Sequence, residues 1–308
     1  MPAPPVTELP RPLVVAGLTV GVLAVSSSAV LIRLADAPAL AIAFWRCALG
    51  ACLLAPFAVR GARALGRLHR REVLQLLVAG ALLALHFALF ISALDYTTVA
   101  SSVLFVALSP LFVGLGSAVL LGEPPSPRTW RGIALAGVGA LVVGVGGLGE
   151  QASAQGRSLF GDGLALGGAV AVAGYLLVGR AARRRLPALA YSTAVYAVAA
   201  VLLLPAALLA GAPLGVSTPG YPTATWVAIA ALVIGPQLLG HTVFNTLLST
   251  VSATVVAVAV LAEPVGASVL AFLVLGEAPG WVFLAGAPIV LAGVWLAATP
   301  DRRRTGSG

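Results

Sequence analysis

The chain has 308 residues, of which 60% are hydrophobic and 9% are charged, and its mean hydropathy is +1.04. A soluble domain carries about 25% charged residues, so this composition excludes a soluble enzyme and indicates a polytopic membrane protein. The net charge of +8 comes from arginines in short loops between apolar segments, which is typical of membrane topology determinants and not of a nucleic-acid surface.

Ten apolar segments follow one another along the chain. Each is long enough to cross roughly 30 Å of hydrocarbon as a helix, and none has the two-residue alternation of a barrel strand. The sequence therefore predicts an all-α membrane protein whose ten transmembrane helices lie in a lipid bilayer. The predicted segments are 13–35, 38–59, 73–95, 97–121, 130–148, 161–182, 187–210, 224–248, 250–275 and 281–299.

The arginines predict the orientation of these segments. With both termini in the cytoplasm, fifteen of the eighteen arginines lie on the cytoplasmic side, and the exceptions are Arg33, Arg46 and Arg157. Because cytoplasmic loops are enriched in basic residues, we predict an N-in, C-in topology. The fifteen are Arg11, Arg60, Arg63, Arg67, Arg70, Arg71, Arg128, Arg131, Arg180, Arg183, Arg184, Arg185, Arg302, Arg303 and Arg304.

An internal repeat relates the two halves of the chain. A constant shift of 154 residues superimposes Pro110 on Pro264, and it also aligns the pairs Gly122/Gly276, Glu123/Glu277, Pro125/Pro279, Gly132/Gly286 and Gly139/Gly293. We expect a first repeat at 13–148, a second at 161–299, and cytoplasmic tails at 1–12 and 300–308. Since each repeat holds five segments, the second is predicted to be inverted, as in many transporters.

The repeated motifs resemble those of a known family, the EamA-type members of the drug/metabolite transporter superfamily. The matching residues are Phe44-Trp45-Arg46, Ala93-Leu94-Asp95-Tyr96-Thr97, Leu108-Ser109-Pro110 with Gly122-Glu123, Gly161-Asp162-Gly163, and Leu261-Ala262-Glu263-Pro264 with Gly276-Glu277. The resemblance implies ten helices in two inverted five-helix repeats, a central cavity and alternating access. It also implies export of amino acids, other metabolites or drugs as the activity.

Most motif residues are expected to be scaffold. The repeated glycines permit close helix approach or cap helix ends. Pro110 and Pro264 each remove a backbone donor within a segment, which either kinks the helix or leaves a carbonyl free to face a cavity.

Polar residues inside the segments are the candidate substrate-binding groups, because such residues usually face a cavity or a partner. Arg46 can bind a substrate carboxylate or serve a structural role, by snorkelling or by pairing with Asp36. His86 is either a ligand or a packing residue. Ser28 and Tyr175 are further candidates, and the alternatives are back-bonding to the helix for Ser28 and core packing for Tyr175.

The eighth segment carries a polar stripe. Gln237, His241 and Asn245 are spaced by four residues, which places them on one face of an α-helix. Their repeat partners are apolar: Leu83, Phe87 and Ile91. A stripe present in one half only favours a cavity-lining role, and hydrogen bonding between helices is the alternative.

Glu263 is the candidate coupling residue. It is a carboxylate inside an apolar segment, and its repeat partner is the neutral Ser109. A group of this kind can load and release a proton as the cavity changes sides, and a structural hydrogen bond to a neighbouring helix is the alternative.

The leading function is therefore a secondary transporter that exports small molecules, with proton coupling as a hypothesis. Uptake by the same fold and a membrane enzyme acting on lipids are the alternatives. The sequence has no phosphate-binding loop, GxSxG motif or metal-ligand spacing, so no cofactor, metal or catalytic residue is expected. It leaves the oligomeric state open.

Overall fold

A computed structural model describes residues 9–58, 68–97, 99–148, 155–276 and 281–298 of the chain. Several positions discussed above lie outside these ranges: Arg60, Arg63, Arg67, Glu277, Pro279, Arg302, Arg303 and Arg304, with most of the 1–12 tail and all of the 300–308 tail.

The first half of the chain is helical wherever the structure describes it. Its helices are α1 (Arg11–Ser26), α2 (Ser28–Ala35), α3 (Ala39–Ala58), α4 (Arg70–Ala93), α5 (Val99–Val106), α6 (Ser109–Gly116) with a π-helical turn (Ser117–Leu121), and α7 (Pro127–Leu148).

The second half repeats this order. Its helices are α8 (Gln155–Arg183), α9 (Ala188–Leu209), α10 (Thr223–Leu232), a π-helix (Val233–Thr242), α11 (Val243–Leu247), α12 (Ala253–Val260), α13 (Glu263–Leu275) and α14 (Trp281–Ala298). The described residues contain no strand, and each of the ten predicted segments contains helix.

Seven helical segments of the described chain are long and apolar enough to cross a membrane, and Ser109–Leu121 and Leu284–Ala297 are shorter apolar helices. The all-helical membrane architecture is thus confirmed. The seven are Arg11–Ala35, Ala39–Ala58, Arg70–Ala93, Leu159–Arg183, Ala188–Leu209, Thr223–Leu247 and Ala253–Val274.

One segment in each half is interrupted at the same repeat position. The fourth segment breaks between α5 and α6, and the ninth breaks between α12 and α13. Pro110 and Pro264 lie in the first turn of the helix that restarts, where a missing N–H costs no hydrogen bond. Both interrupted segments end at a glycine with positive φ, 65° at Gly122 and 71° at Gly276, and such left-handed caps favour glycine.

Helix packing follows the repeat. The repeat equivalents α3 and α9 pack on each other, as do α7 and α14. Helix α4 packs along α8, and at the equivalent place in the other half α1 and α2 pack along α10 and the second π-helix. The two halves therefore pack against each other through contacts that come in repeat-equivalent pairs.

Glycines permit the closest of these contacts. A Cβ added at Gly139 would lie 2.5 Å from the backbone nitrogen of Val290, and at the equivalent position Gly293 abuts the backbone of Ala136. Because no side chain fits there, the packing role predicted for the repeated glycines is confirmed at both positions.

Candidate functional site

A cavity lies in the middle of the helix assembly and receives side chains from both repeats. Its volume is about 50 Å³, which is room for a few water molecules. A metabolite therefore fits only after the surrounding helices separate. The lining residues are Val25, Ser28, Arg46, His86, Phe87, Phe90, Val106, Ser109, Val172, Leu176, Pro236, His241, Phe244, Val256, Ala257, Val260 and Glu263.

The lining is symmetric in position and asymmetric in chemistry. Phe90 and Phe244 are repeat equivalents, as are Val106 and Val260, and all four line the cavity. Two other equivalent pairs also line it, Phe87 with His241 and Ser109 with Glu263. In both of these pairs the second repeat supplies an ionisable side chain. The first repeat supplies Arg46 and His86 in turn, so each repeat contributes ionisable side chains that the other lacks.

Arg46 is the cation of the cavity wall and is held from two sides. Its Nε donates to Oε1 of Gln237 at 3.1 Å, and its guanidinium carbon lies 3.8 Å from the centre of the Phe87 ring. The residue is 1% exposed. Within the part of the chain that the structure describes, its terminal nitrogens Nη1 and Nη2 have no hydrogen-bond partner, although buried donors usually have one.

His86 is fixed by one backbone bond. Its Nδ1 lies 2.9 Å from the carbonyl oxygen of Gly168. A carbonyl only accepts, so Nδ1 carries a proton, and in the neutral ring Nε2 is left as an acceptor. The imidazole stacks on Phe90, with ring centres 5.8 Å apart, and lies 6.3 Å from that of His241.

The polar stripe of the eighth segment differs from the prediction in its geometry. Residues 233–242 form a π-helix and Asn245 lies in the α-helix that follows it, so the three residues do not belong to one uniform α-helix. His241 lines the cavity, Gln237 is buried beside Arg46, and Asn245 points elsewhere. A role for all three in substrate binding stays a prediction.

Asn245 and Tyr175 form an interhelix link outside the cavity lining. The Tyr175 hydroxyl donates to Oδ1 of Asn245 at 2.5 Å, and Nδ2 of Asn245 donates to the Ser192 hydroxyl at 3.0 Å. This is the hydrogen-bonding alternative considered for the stripe, and it joins α8, α9 and α11.

The remaining predicted residues, Ser28 and Glu263, both line the cavity. Ser26, two residues before Ser28, bonds back to the Val22 carbonyl at 2.8 Å. Glu263 is 8% exposed and opens α13. Among the described residues, the ion pairs are those of Glu123 and Glu72, so no ion pair joins Arg46 to Glu263.

Two features of the site were not predicted from the sequence. The first is the contact of Phe87 and Gln237 with Arg46. Phenylalanine and glutamine are both ordinary residues of packed helices, so neither marks such a contact in the sequence. Sequence spacing gave no sign of this contact, because 191 residues separate Gln237 from Arg46. The repeat alignment treated Phe87 as a packing residue like Leu83 and Ile91, and the structure instead places it against the cation.

The second feature is an ionic cluster at the end of the molecule predicted to face the cytoplasm. Glu123 accepts from Arg184 at 2.7 Å and from Arg180 at 3.1 Å, which joins the two repeats. Partial burial alone would raise the pKa of Glu123, but the hydrogen bonds and charges of Arg180 and Arg184 outweigh it and hold that pKa below its usual range.

Comparison with known proteins identifies the family. The pattern of the EamA-like transporter family matches residues 13–145 and 159–299, which cover most of the chain in two copies. The chain belongs to the EamA-like transporter family. As such it is a transporter and a multi-pass membrane protein, which in bacteria lies in the cell membrane.

Relatives of this EamA-like transporter have similar descriptions. It is 27% identical over 202 residues to the "Uncharacterized transporter YetK" of Bacillus subtilis, an alignment over 66% of this chain and 60% of that protein's length. It is 28% identical over 204 residues to an "Uncharacterized transporter" of Archaeoglobus fulgidus, over 66% of this chain and 68% of that one. A crystal structure 22% identical to it shares the fold, with a TM-score of 0.75 over 97% of this chain and all of that one.

Family motif residues of this EamA-like transporter meet outside the cavity. Thr97 donates to Oδ1 of Asp162 at 2.8 Å, which links the connection between α4 and α5 to α8. Trp45 donates to the Leu214 carbonyl at 3.0 Å. These contacts fit the scaffold role expected for most of the motif.

Proposed function

We propose that this EamA-like transporter exports small metabolites, amino acids or related compounds, or drugs, by alternating access of the central cavity. The observation that carries the proposal is the cavity itself. It lies between two intertwined repeats, at the level where one segment of each is interrupted, and buried ionisable side chains line it. Interrupted helices at a repeat interface are a recurrent feature of substrate sites in secondary transporters.

The proposed cycle needs all ten segments to cross the membrane, with both termini in the cytoplasm and the second repeat inverted. The paired packing of repeat equivalents supports this arrangement, because a two-fold operation exchanges the halves. Rocking of one repeat against the other around a fixed site is the usual consequence of such symmetry. The small volume of the cavity fits a closed stage of this cycle.

Counterflow in proteoliposomes tests the proposed activity. Purified protein is reconstituted, vesicles are loaded with a pool of unlabelled amino acids, amines or sugars, and uptake of the matching labelled compounds is measured. We expect one pool to drive labelled uptake above protein-free vesicles. Failure of every pool would contradict transport of these compounds, and the sign of net flux in oriented vesicles separates export from uptake.

Glu263 is proposed as the coupling residue, since it is the carboxylate of the cavity lining. Glu263→Gln keeps the shape and hydrogen bonding of the side chain but cannot titrate. We expect this variant to exchange substrate for substrate and to lose accumulation driven by an imposed pH difference. Glu72→Gln, the same change outside the cavity, is the matched control. Unchanged proton-driven accumulation by Glu263→Gln would rule out the coupling role.

A further inference from the structure

Three hydrogen-bond donors without partners lie together beside the cavity. They are Nη1 and Nη2 of Arg46 and Nε2 of Gln237, each of which lacks a partner among the described residues. Both side chains are almost fully buried, 1% and 0% exposed. A buried donor left unpaired costs stability, so a group of three on two touching side chains indicates that something else satisfies them.

The geometry keeps these donors in place. Gln237 presents Oε1 to Nε of Arg46, which turns its own Nε2 into a donor beside the guanidinium. Phe87 covers the flat face of the guanidinium at 3.8 Å, leaving only its edge for hydrogen bonding. The Phe87 ring is itself held by His241, with ring centres 5.1 Å apart at 88°. The contacts with Gln237 and Phe87 thus hold the guanidinium group in one orientation in the absence of a ligand.

A ligand rich in acceptors and negative in charge suits such a group. A carboxylate has two oxygens and about four lone pairs, and it binds a guanidinium through two parallel bonds. The rest of the lining is largely apolar, with Phe90, Phe244 and several valines, which suits an aliphatic or aromatic body. Glu263 is the carboxyl group of the lining, and no ion pair joins it to Arg46 among the described residues.

We propose that Arg46 and Gln237 form a carboxylate-binding subsite of the cavity, so that the substrate is a small molecule with one carboxylate and an apolar body. This inference rests on the proposed transport function and specifies its substrate class. Phe87 is a positioning residue that orients the guanidinium. A free amino acid and a plain carboxylic acid share this chemistry, and the experiment separates them.

Binding to the purified full-length protein in nanodiscs tests the subsite. The probes are 4-methylpentanoate and L-leucine, each compared with its amide, by calorimetry at pH 7, where both carboxylates are ionised. We expect a carboxylate to bind at least about tenfold more tightly than its amide, because charge-assisted bonds to a guanidinium are lost in the amide. Binding of L-leucine alone would identify amino acids, and equal binding of both acids would identify carboxylates in general.

Three variants assign the effect to the subsite. Arg46→Gln is expected to reduce the ratio of acid to amide affinity to about one. Arg46→Lys is expected to lose most of the preference for the acid, because an ammonium group lacks the planar, two-pronged geometry of a guanidinium group. Gln237→Glu places a carboxylate beside Arg46 and should weaken acid binding by tenfold or more while satisfying the guanidinium. Gln75→Glu, the same change at a partly exposed position of α4, should leave binding unchanged. Gel filtration and melting temperature establish that each variant is folded.

Three results would overturn the proposal: amides that bind as tightly as the acids, a preference for acids that survives Arg46→Gln, or no binding of either acid at millimolar concentration. The transport proposal fails separately. Acid-selective binding without counterflow would support the carboxylate subsite and contradict the transport cycle. Counterflow of amines or sugars that persists in Arg46→Gln would support the transport cycle and contradict the carboxylate subsite.

Discussion

Phe87 and His241 occupy equivalent positions of the two repeats and touch each other in the centre of the molecule. The phenyl ring of Phe87 packs on the guanidinium group of Arg46, and the imidazole of His241 lines the cavity. Duplication supplied the two positions, and later substitution made them chemically different. Ser109 and Glu263 show the same divergence one helix away, so the functional asymmetry of the site resides in individual side chains on a symmetric backbone.

The sequence predicted which polar residues line the cavity more reliably than it predicted the direction of each side chain. Arg46, His86, His241, Ser28 and Glu263 line the cavity, and each could be chosen because a polar group inside an apolar segment is costly. The directions of Gln237 and Asn245 were not predictable, since the hydrogen-bond partners that hold them lie on other helices. Their partners Arg46, Tyr175 and Ser192 lie 53 to 191 residues away in sequence.

His241 and Asn245 are expected to behave differently when each is replaced by alanine. His241→Ala removes a cavity side chain, so transport per folded molecule should fall while the melting temperature changes little. Asn245→Ala leaves the Tyr175 and Ser192 hydroxyls without their partner, which should cost about 1 kcal/mol of stability. Thermal unfolding in detergent and counterflow normalised to folded protein check both. Normal transport by His241→Ala would exclude a cavity role for that residue.

At the scale of the helices, the repeat was read from sequence with little error. The interrupted segments α5–α6 and α12–α13 begin and break at residue numbers that differ by 154, as the motif alignment requires. The sequence predicted a kink or a free carbonyl at Pro110 and Pro264, and the structure instead shows each proline in the first turn of a helix that restarts after a break. The sequence did not show which ion pairs connect helix ends of the two repeats. The clearest case is the contact of Glu123 with Arg180 and Arg184.

Glu123 should stabilise the protein in a pH-dependent way. Its pKa in the folded protein lies below its ordinary value near 4.5, because the arginines outweigh the effect of partial burial. The stabilisation is therefore complete above that ordinary value and is lost as pH falls through the folded pKa. At pH 7 we expect Glu123→Gln to cost about 0.5 to 1 kcal/mol, the range of a partly exposed ion pair.

Melting temperatures in detergent between pH 7 and pH 4 measure this effect. The wild type should lose more stability over that interval than Glu123→Gln, since the variant has no carboxylate to protonate at this position. Arg184→Gln provides a double-mutant cycle, in which the second change should cost less than it does alone. Parallel pH profiles of the wild type and Glu123→Gln would show that the ion pair contributes nothing.

At the scale of the whole molecule, the two repeats bury their shared surfaces through pairs of equivalent helices, α3 on α9 and α7 on α14. The cavity lies between the repeats and is lined by both of them, and the proposed cycle would change its access by rotation of one half. Besides the central bond of Arg46 to Gln237, three arginine contacts between the halves lie at one end: Arg180 and Arg184 bind Glu123, and Arg128 donates to the Leu296 carbonyl at 3.2 Å. These contacts would have to yield for that end to open.

The orientation of this end follows from charge and can be measured directly. Positively charged loops remain in the cytoplasm, and the arginine-bearing ends of α4, α7 and α8 lie together with the Glu123 cluster. We therefore expect reporters fused after Arg71 and after Arg185 to give a cytoplasmic signal, and fusions near Ala154 and Gly215 to give an external one.

The arginines from Arg180 to Arg185 are not all topology signals. Arg183 is buried and donates to the carbonyls of Asn245 and Leu186, so it also has a structural role. The fusion after Arg185 is thus the decisive one. An external signal there would place the second repeat in the same orientation as the first and would contradict the inverted arrangement on which alternating access depends.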